Sequence, residues 1–157
     1  MPFLIRKATI KDFEKLKEIK IEFYLWECKK DNKLTTDYVK KGLGSRLAKN
    51  LKQKNTAFFI AVQKGEIIGY AGGEIKNNPS YAKYKKSGHI FNLYVKPKYQ
   101  GKGIGKKLIN ETMKWFKKNK ISDLRIMVYK NNKRAHKIYN KLGFKDYVIE
   151  LSKINKI

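Results

Sequence analysis

Residues 89–105 read His89-Ile90-Phe91-Asn92-Leu93-Tyr94-Val95-Lys96-Pro97-Lys98-Tyr99-Gln100-Gly101-Lys102-Gly103-Ile104-Gly105. The first seven, rich in aromatic and β-branched side chains, predict a strand over 89–95, and Pro97, which has no N–H to give a sheet ladder, stops it. Glycines at 101, 103 and 105 then remove side chains where the backbone turns. From there Ile104, Leu108, Ile109, Met113, Trp115 and Phe116 cover one half of a helix reaching about Asn119. Residues 124–129 (LRIMVY) predict the next strand, completing a βαβ unit whose right-handed crossover makes the two strands parallel.

Working outward from this unit, Asn131 or Asn132 can cap a last helix with Ala135, Ile138, Tyr139 and Leu142 on its inner face, ended by Gly143. A final strand follows over 144–151. Upstream, residues 3–8 predict a first strand, and Thr9 with Asp12 forms a capping box for an amphipathic helix. Phe13, Leu16, Ile19, Phe23 and Trp26 should face the core, while Glu14, Glu18 and Glu22 line another face. A second helix is predicted over 36–54, bent by Gly42 and Gly44; strands over 56–63 and 66–75 flank a Lys64-Gly65 hairpin turn, and 76–87 is a polar loop. No repeat, linker or composition break divides the chain, so the reading is one domain over residues 1–157.

The chain carries 41% apolar and 32% charged residues, too apolar for a disordered tail and too charged for a membrane protein. No apolar run approaches the length of a span, and the N-terminus is too short in apolar residues for a secretory signal, so the expectation is a cytoplasmic protein with no membrane partner. A single cysteine, Cys28, permits no internal disulfide, and no spacing completes a metal site. The net charge of +25 suggests polyanions, yet only four of the 38 basic residues are Arg. Lysine, isoleucine and asparagine abundance reads better as composition bias than as a nucleic-acid surface. The charge is still uneven: residues 79–157 carry 21 basic and four acidic side chains, so an anionic ligand belongs in that half.

At the glycine turn, successive bare amides and a helix N-terminus can converge on one anion, with Lys102, Lys106 and Lys107 adding charge suited to a diphosphate. The P-loop pattern fails because Lys106 stands where its second glycine belongs. The dinucleotide pattern fails at Lys106 as well, and Asp123 precedes the next strand instead of ending it.

These residues resemble the GCN5-related N-acetyltransferase (GNAT) family, whose signature (Gln/Arg)-x-x-Gly-x-(Gly/Ala) is matched by Gln100-Gly101-Lys102-Gly103-Ile104-Gly105. Asn132-Lys133-Arg134-Ala135, Ile138-Tyr139 and Gly143-Phe144 match the family's second signature, and the predicted element order follows the family end to end. The resemblance implies an α/β (α+β) fold: a single mixed, mostly antiparallel twisted sheet of six or seven strands flanked by four helices, with splayed central parallel strands. It implies an N-acetyltransferase that uses acetyl-CoA as co-substrate and no metal. Pantetheine would pair with the edge at Leu93, Tyr94 and Val95, the pyrophosphate would sit on the amides of Gln100, Gly101, Lys102, Gly103, Ile104, Gly105 and Lys106, and Asn132 and Ala135 would line the thiol end.

By the same resemblance Tyr139 protonates the departing thiolate, a role suited to a phenol that stays protonated at neutral pH. Residues 89–95 offer Phe91 and Asn92 where relatives often place a carboxylate base. Glu74 ranks slightly ahead of His89, with a water relay third. The acceptor is an amine of a small molecule or peptide; the acidic stripe with Glu27 and Asp31 reads first as a solvated helix face. Rival readings are a nucleic-acid-associated basic binding protein and a catalytically silent acyl-CoA sensor. A homodimer is compatible with the chain.

Overall fold

The computed structural model describes residues 2–155, which gather into two units, the first ending at Ile126 and the second starting at Met127. The first unit is built on one five-stranded sheet in chain order: β1 (Leu4–Lys7), β2 (Thr56–Gln63), β3 (Glu66–Asn77), β4 (Lys86–Val95) and β5 (Asp123–Ile126). All neighbours are antiparallel except β4 and β5, which are parallel across the helical crossover. Lys64 and Gly65, with φ of 49° and 76°, make the two-residue hairpin turn, because right-twisted strands favour left-handed residues there.

Alternation along β2 sends side chains to two apolar layers. Phe58 and Ile60 meet Leu16, Ile19 and Phe23 of α1 (Phe13–Lys30) and Leu47 of α3 (Leu43–Lys52). Ala57, Phe59 and Ala61 pack with Ile104 and Leu108 of α4 (Ile104–Lys118). The expected capping box is present: the Thr9 N–H donates to Asp12 Oδ2 at 2.8 Å, and Arg6 grips the same carboxylate at 2.8 and 2.6 Å. Those Arg6 bonds hold the Asp12 carboxyl down at about 2 and tie the start of α1 to β1.

Several expectations need correction. Among the described residues the sheet has five strands where six or seven were expected, and there are five α-helices where four were expected. Gly42 ends α2 (Asp37–Lys41) and begins α3, so the helix expected over 36–54 breaks at the residue with the largest helix-forming penalty short of proline. β5 stops at Ile126, and Met127 beyond it is 91% exposed. Residues 144–151 form no strand; Tyr147, Val148, Ile149 and Leu151 are exposed, because apolar alternation needs a neighbouring ladder and their own unit holds no other strand. Trp26 is 43% exposed instead of core-facing.

The second unit contains α5 (Lys133–Lys141). Asn132 caps it, accepting the Ala135 N–H at 3.1 Å, and Gly143 at φ 94° turns the chain so that the Phe144 N–H reaches the Tyr139 carbonyl at 3.1 Å. Of the expected inner face of α5, Tyr139 is buried and Ile138 is 37% exposed. Among the described residues no helix is long and apolar enough to cross a membrane.

Candidate functional site

β4 carries two kinds of edge. Its parallel pairing with β5 runs from Ser87 opposite Asp123 to Ile90 opposite Ile126 and ends there. Among the described residues no strand pairs with 91–95 on that side, so the backbone at Leu93, Tyr94 and Val95 is held by β3 alone. The cause is visible in the register with β3, where Gly72 faces Phe91 and Tyr70 faces Tyr94, so Asn92 and Leu93 together oppose one residue. Asn92 sits at φ 51°, a left-handed conformation that asparagine tolerates, and such a bulge bends its strand and sharpens its twist.

The chain leaves β4 through a short 3₁₀ turn at Pro97–Tyr99 and enters the glycine turn. Gly101 and Gly103 sit at φ 78° and 76°, where a side chain would be strained. Gly105 lies in the helix itself and is not held there by its own backbone angles. The first intrahelical bond runs from Lys107 N–H to the Gly103 carbonyl at 3.1 Å, so the amides of Ile104, Gly105 and Lys106 precede the helical ladder and point out of its N-terminus. The Gln100 carboxamide donates to the Val95 carbonyl at 2.9 Å, tying the turn to the end of β4. Lys98 and Lys102 lie over the Tyr99 ring at 5.0 and 5.5 Å, and no acidic residue occupies the first turn of α4. The arrangement is a cationic cradle of backbone amides adjoining an unpaired strand edge.

The two base candidates are brought together. Glu74 of β3 stands directly opposite His89 of β4 in the register. Glu74 is also ion-paired to Lys76 at 3.4 Å, and the His89 ring lies 3.0 Å from the buried Ser87 hydroxyl. Burial, Lys76 and Arg125 push the His89 imidazole below its ordinary value, which leaves it neutral at pH 7. Tyr139, Asn132 and Ala135 belong to the second unit. Tyr139 packs edge-on to Phe144 with ring centroids 6.3 Å apart, and burial raises its phenol, which is therefore protonated near neutral pH.

The sequence reading missed Lys20. It occupies the buried face of α1 between Leu16 and Phe23, where helical spacing calls for an apolar residue, and that break in the stripe was the available signal. Its ammonium lies 5.0 Å from the ring centroids of Phe58 and Tyr70 and 5.5 Å from that of Tyr24. It donates to Asn92 Oδ1 at 3.1 Å, at the β4 bulge. The Tyr24 hydroxyl reaches the same oxygen at 3.4 Å.

The family model described as the acetyltransferase (GNAT) family matches residues 49–144. The spermidine N(1)-acetyltransferase of Thermoplasma acidophilum is 29% identical over 152 residues, spanning 92% of this chain and 89% of that protein. Among solved structures, AAC(6')-Iy in complex with the bisubstrate analog CoA-S-monomethyl-acetylneamine shares the fold with a TM-score of 0.80 at 16% identity over 100% of both chains. A "predicted acetyltransferase with acetyl-CoA" from Clostridium acetobutylicum has a TM-score of 0.77 at 22% identity, covering 98% of this chain and 96% of its own.

Proposed function

Because the chain belongs to the acetyltransferase (GNAT) family, and is thereby an acetyl-CoA-dependent N-acetyltransferase, we propose that it acts as one domain over residues 1–157 on a primary amine of a small molecule or peptide, by direct attack. The observation that carries this is the unpaired edge at 91–95 running into the amide cradle at 100–106. An extended pantetheine can add to the edge as a strand would, while the cradle with Lys102 and Lys106 takes the linked phosphates. Asn132 and Ala135 serve the thiol end.

Each side chain has a separate task. An amide N–H among Leu93, Tyr94 and Val95 receives the oxyanion of the tetrahedral intermediate. Glu74, or its cross-strand neighbour His89, takes the proton that an ammonium acceptor must lose before it can attack. Tyr139 returns a proton to the departing sulfur. The acceptor class is that of cationic amines, as in the spermidine-acetylating relative.

Calorimetric titration should show acetyl-CoA binding that largely survives a change from about 50 to about 200 mM salt, whereas weak DNA or RNA binding should collapse over that range. Thiol release across spermidine, an aminoglycoside and a lysine peptide then selects the acceptor; no release with any amine would leave a silent sensor. Glu74→Gln should depress turnover most at low pH with acetyl-CoA affinity unchanged. A pH profile identical to wild type would remove Glu74 and pass its task to His89 or to water.

A further inference from the structure

Lys20 has no part in the proposed mechanism, yet its ammonium is hydrogen-bonded to Asn92 at the β4 bulge. It is only 4% exposed, walled by Phe58, Tyr70 and Tyr24, and its polar contact is the Asn92 carboxamide at 3.1 Å. The next residue along β4 is Leu93, where the unpaired edge offers its amides. The same box buries the Tyr70 hydroxyl without a hydrogen-bond partner, a polar group waiting for an acceptor in an otherwise apolar wall.

The charged and titratable groups around Lys20 come from three helices and the sheet. Glu27 and Tyr24 share α1, Tyr38 lies on α2, Arg46 on α3 and Tyr70 on β3. Burial, reinforced by Arg46 and opposed by Glu27, lowers the Lys20 ammonium to about 7. Near neutral pH a large fraction is therefore free amine, the nucleophilic form. An ordinary exposed lysine is less than about one part in 10³ amine at the same pH.

We propose that the protein acetylates itself on Lys20, whose Nζ attacks the thioester carbon of acetyl-CoA lying along the edge at 93–95. This rests on the acetyl-CoA reading above. The new nitrogen–carbon bond forms as the carbon–sulfur bond breaks, and the proton lost from nitrogen ends on sulfur, so the products are an acetylated lysine and coenzyme A. Asn92 Oδ1 accepts one amine hydrogen and leaves the nitrogen lone pair for the attack. The product amide keeps an N–H for Asn92, replaces a buried cation by a neutral group, and brings a carbonyl to the wall that holds the Tyr70 hydroxyl.

The test incubates the purified chain with acetyl-CoA alone, maps acetylated peptides by mass spectrometry over time, and titrates acetyl-CoA calorimetrically in parallel. Lys20 should be labelled at least about 10²-fold faster than the exposed lysines, at a rate that saturates with acetyl-CoA, does not depend on protein concentration, and falls as pH drops below about 7. Asn92→Ala should slow the Lys20 rate severalfold, and Lys20→Met should remove the fast phase while circular dichroism shows the fold retained. Labelling of Lys20 no faster than in the urea-unfolded chain, or at a rate proportional to protein concentration, overturns the proposal. Acetyl-CoA bound without the fast label also overturns it and leaves the acetyltransferase reading standing; no acetyl-CoA binding removes both.

Discussion

Tyr139→Phe is expected to lower acetyl transfer by about 10²-fold or more at neutral pH while acetyl-CoA affinity stays within about twofold. Phenylalanine keeps the ring and its edge-on contact with Phe144, so only the hydroxyl is lost. Burial raises the Tyr139 phenol, which keeps it in the donor form across the working range. With Tyr139 in the proposed donor role, its removal would leave the thiolate to depart unprotonated or to take a proton from water. The loss should appear in kcat from thiol release and not in the calorimetric dissociation constant. Full activity in the Phe variant would reduce Tyr139 to packing.

Lys20→Met should raise folding stability at pH 7 by about 2–4 kcal/mol. Lowering the ammonium from 10.5 to about 7 corresponds to roughly 5 kcal/mol at 1.36 per pH unit, of which the loss of the Lys20 donor to Asn92 in the variant takes back a part. Methionine is nearly isosteric, apolar, and adaptable to an aromatic wall. The pH dependence has a definite sign. Below about 7 both folded and unfolded chains carry the proton and the full penalty stands. Between there and the ordinary lysine value the unfolded chain binds more protons, so wild-type stability rises with pH. Above about 10 the raised phenols of Tyr24 and Tyr70 act in the opposite direction, so the clean window is about pH 7 to 9.5. Urea midpoints should climb through that window for wild type and stay nearly level for Lys20→Met. A variant less stable than wild type at pH 7 would mean that the buried ammonium is a net asset. Enzymatically acetylated wild type should behave as the Met variant does.

The capping box at Thr9 and Asp12, the Lys64-Gly65 turn and the glycine turn through Gly101 and Gly103 were legible because each is decided within a few neighbouring residues. The Asn132 cap of α5 was legible for the same reason. Less legible were features that depend on a distant partner. Residues 144–151 alternate like a strand, but alternation alone supplies no ladder. Gly42 was recognised as a weak point, yet whether it would bend or break its helix depended on how α2 and α3 pack.

The sequence by itself determined the order of β4, glycine turn and α4, and with it the presence of a bare-amide cradle, since spacing and glycine conformation are properties of adjacent residues. The tertiary structure decided that β4 lets go of β5 after Ile90, that Asn92 bulges, and that Lys20 is buried against it from 72 residues away. Those outcomes follow from register and burial, which depend on what another segment presents across the sheet and are written in no local window of the chain.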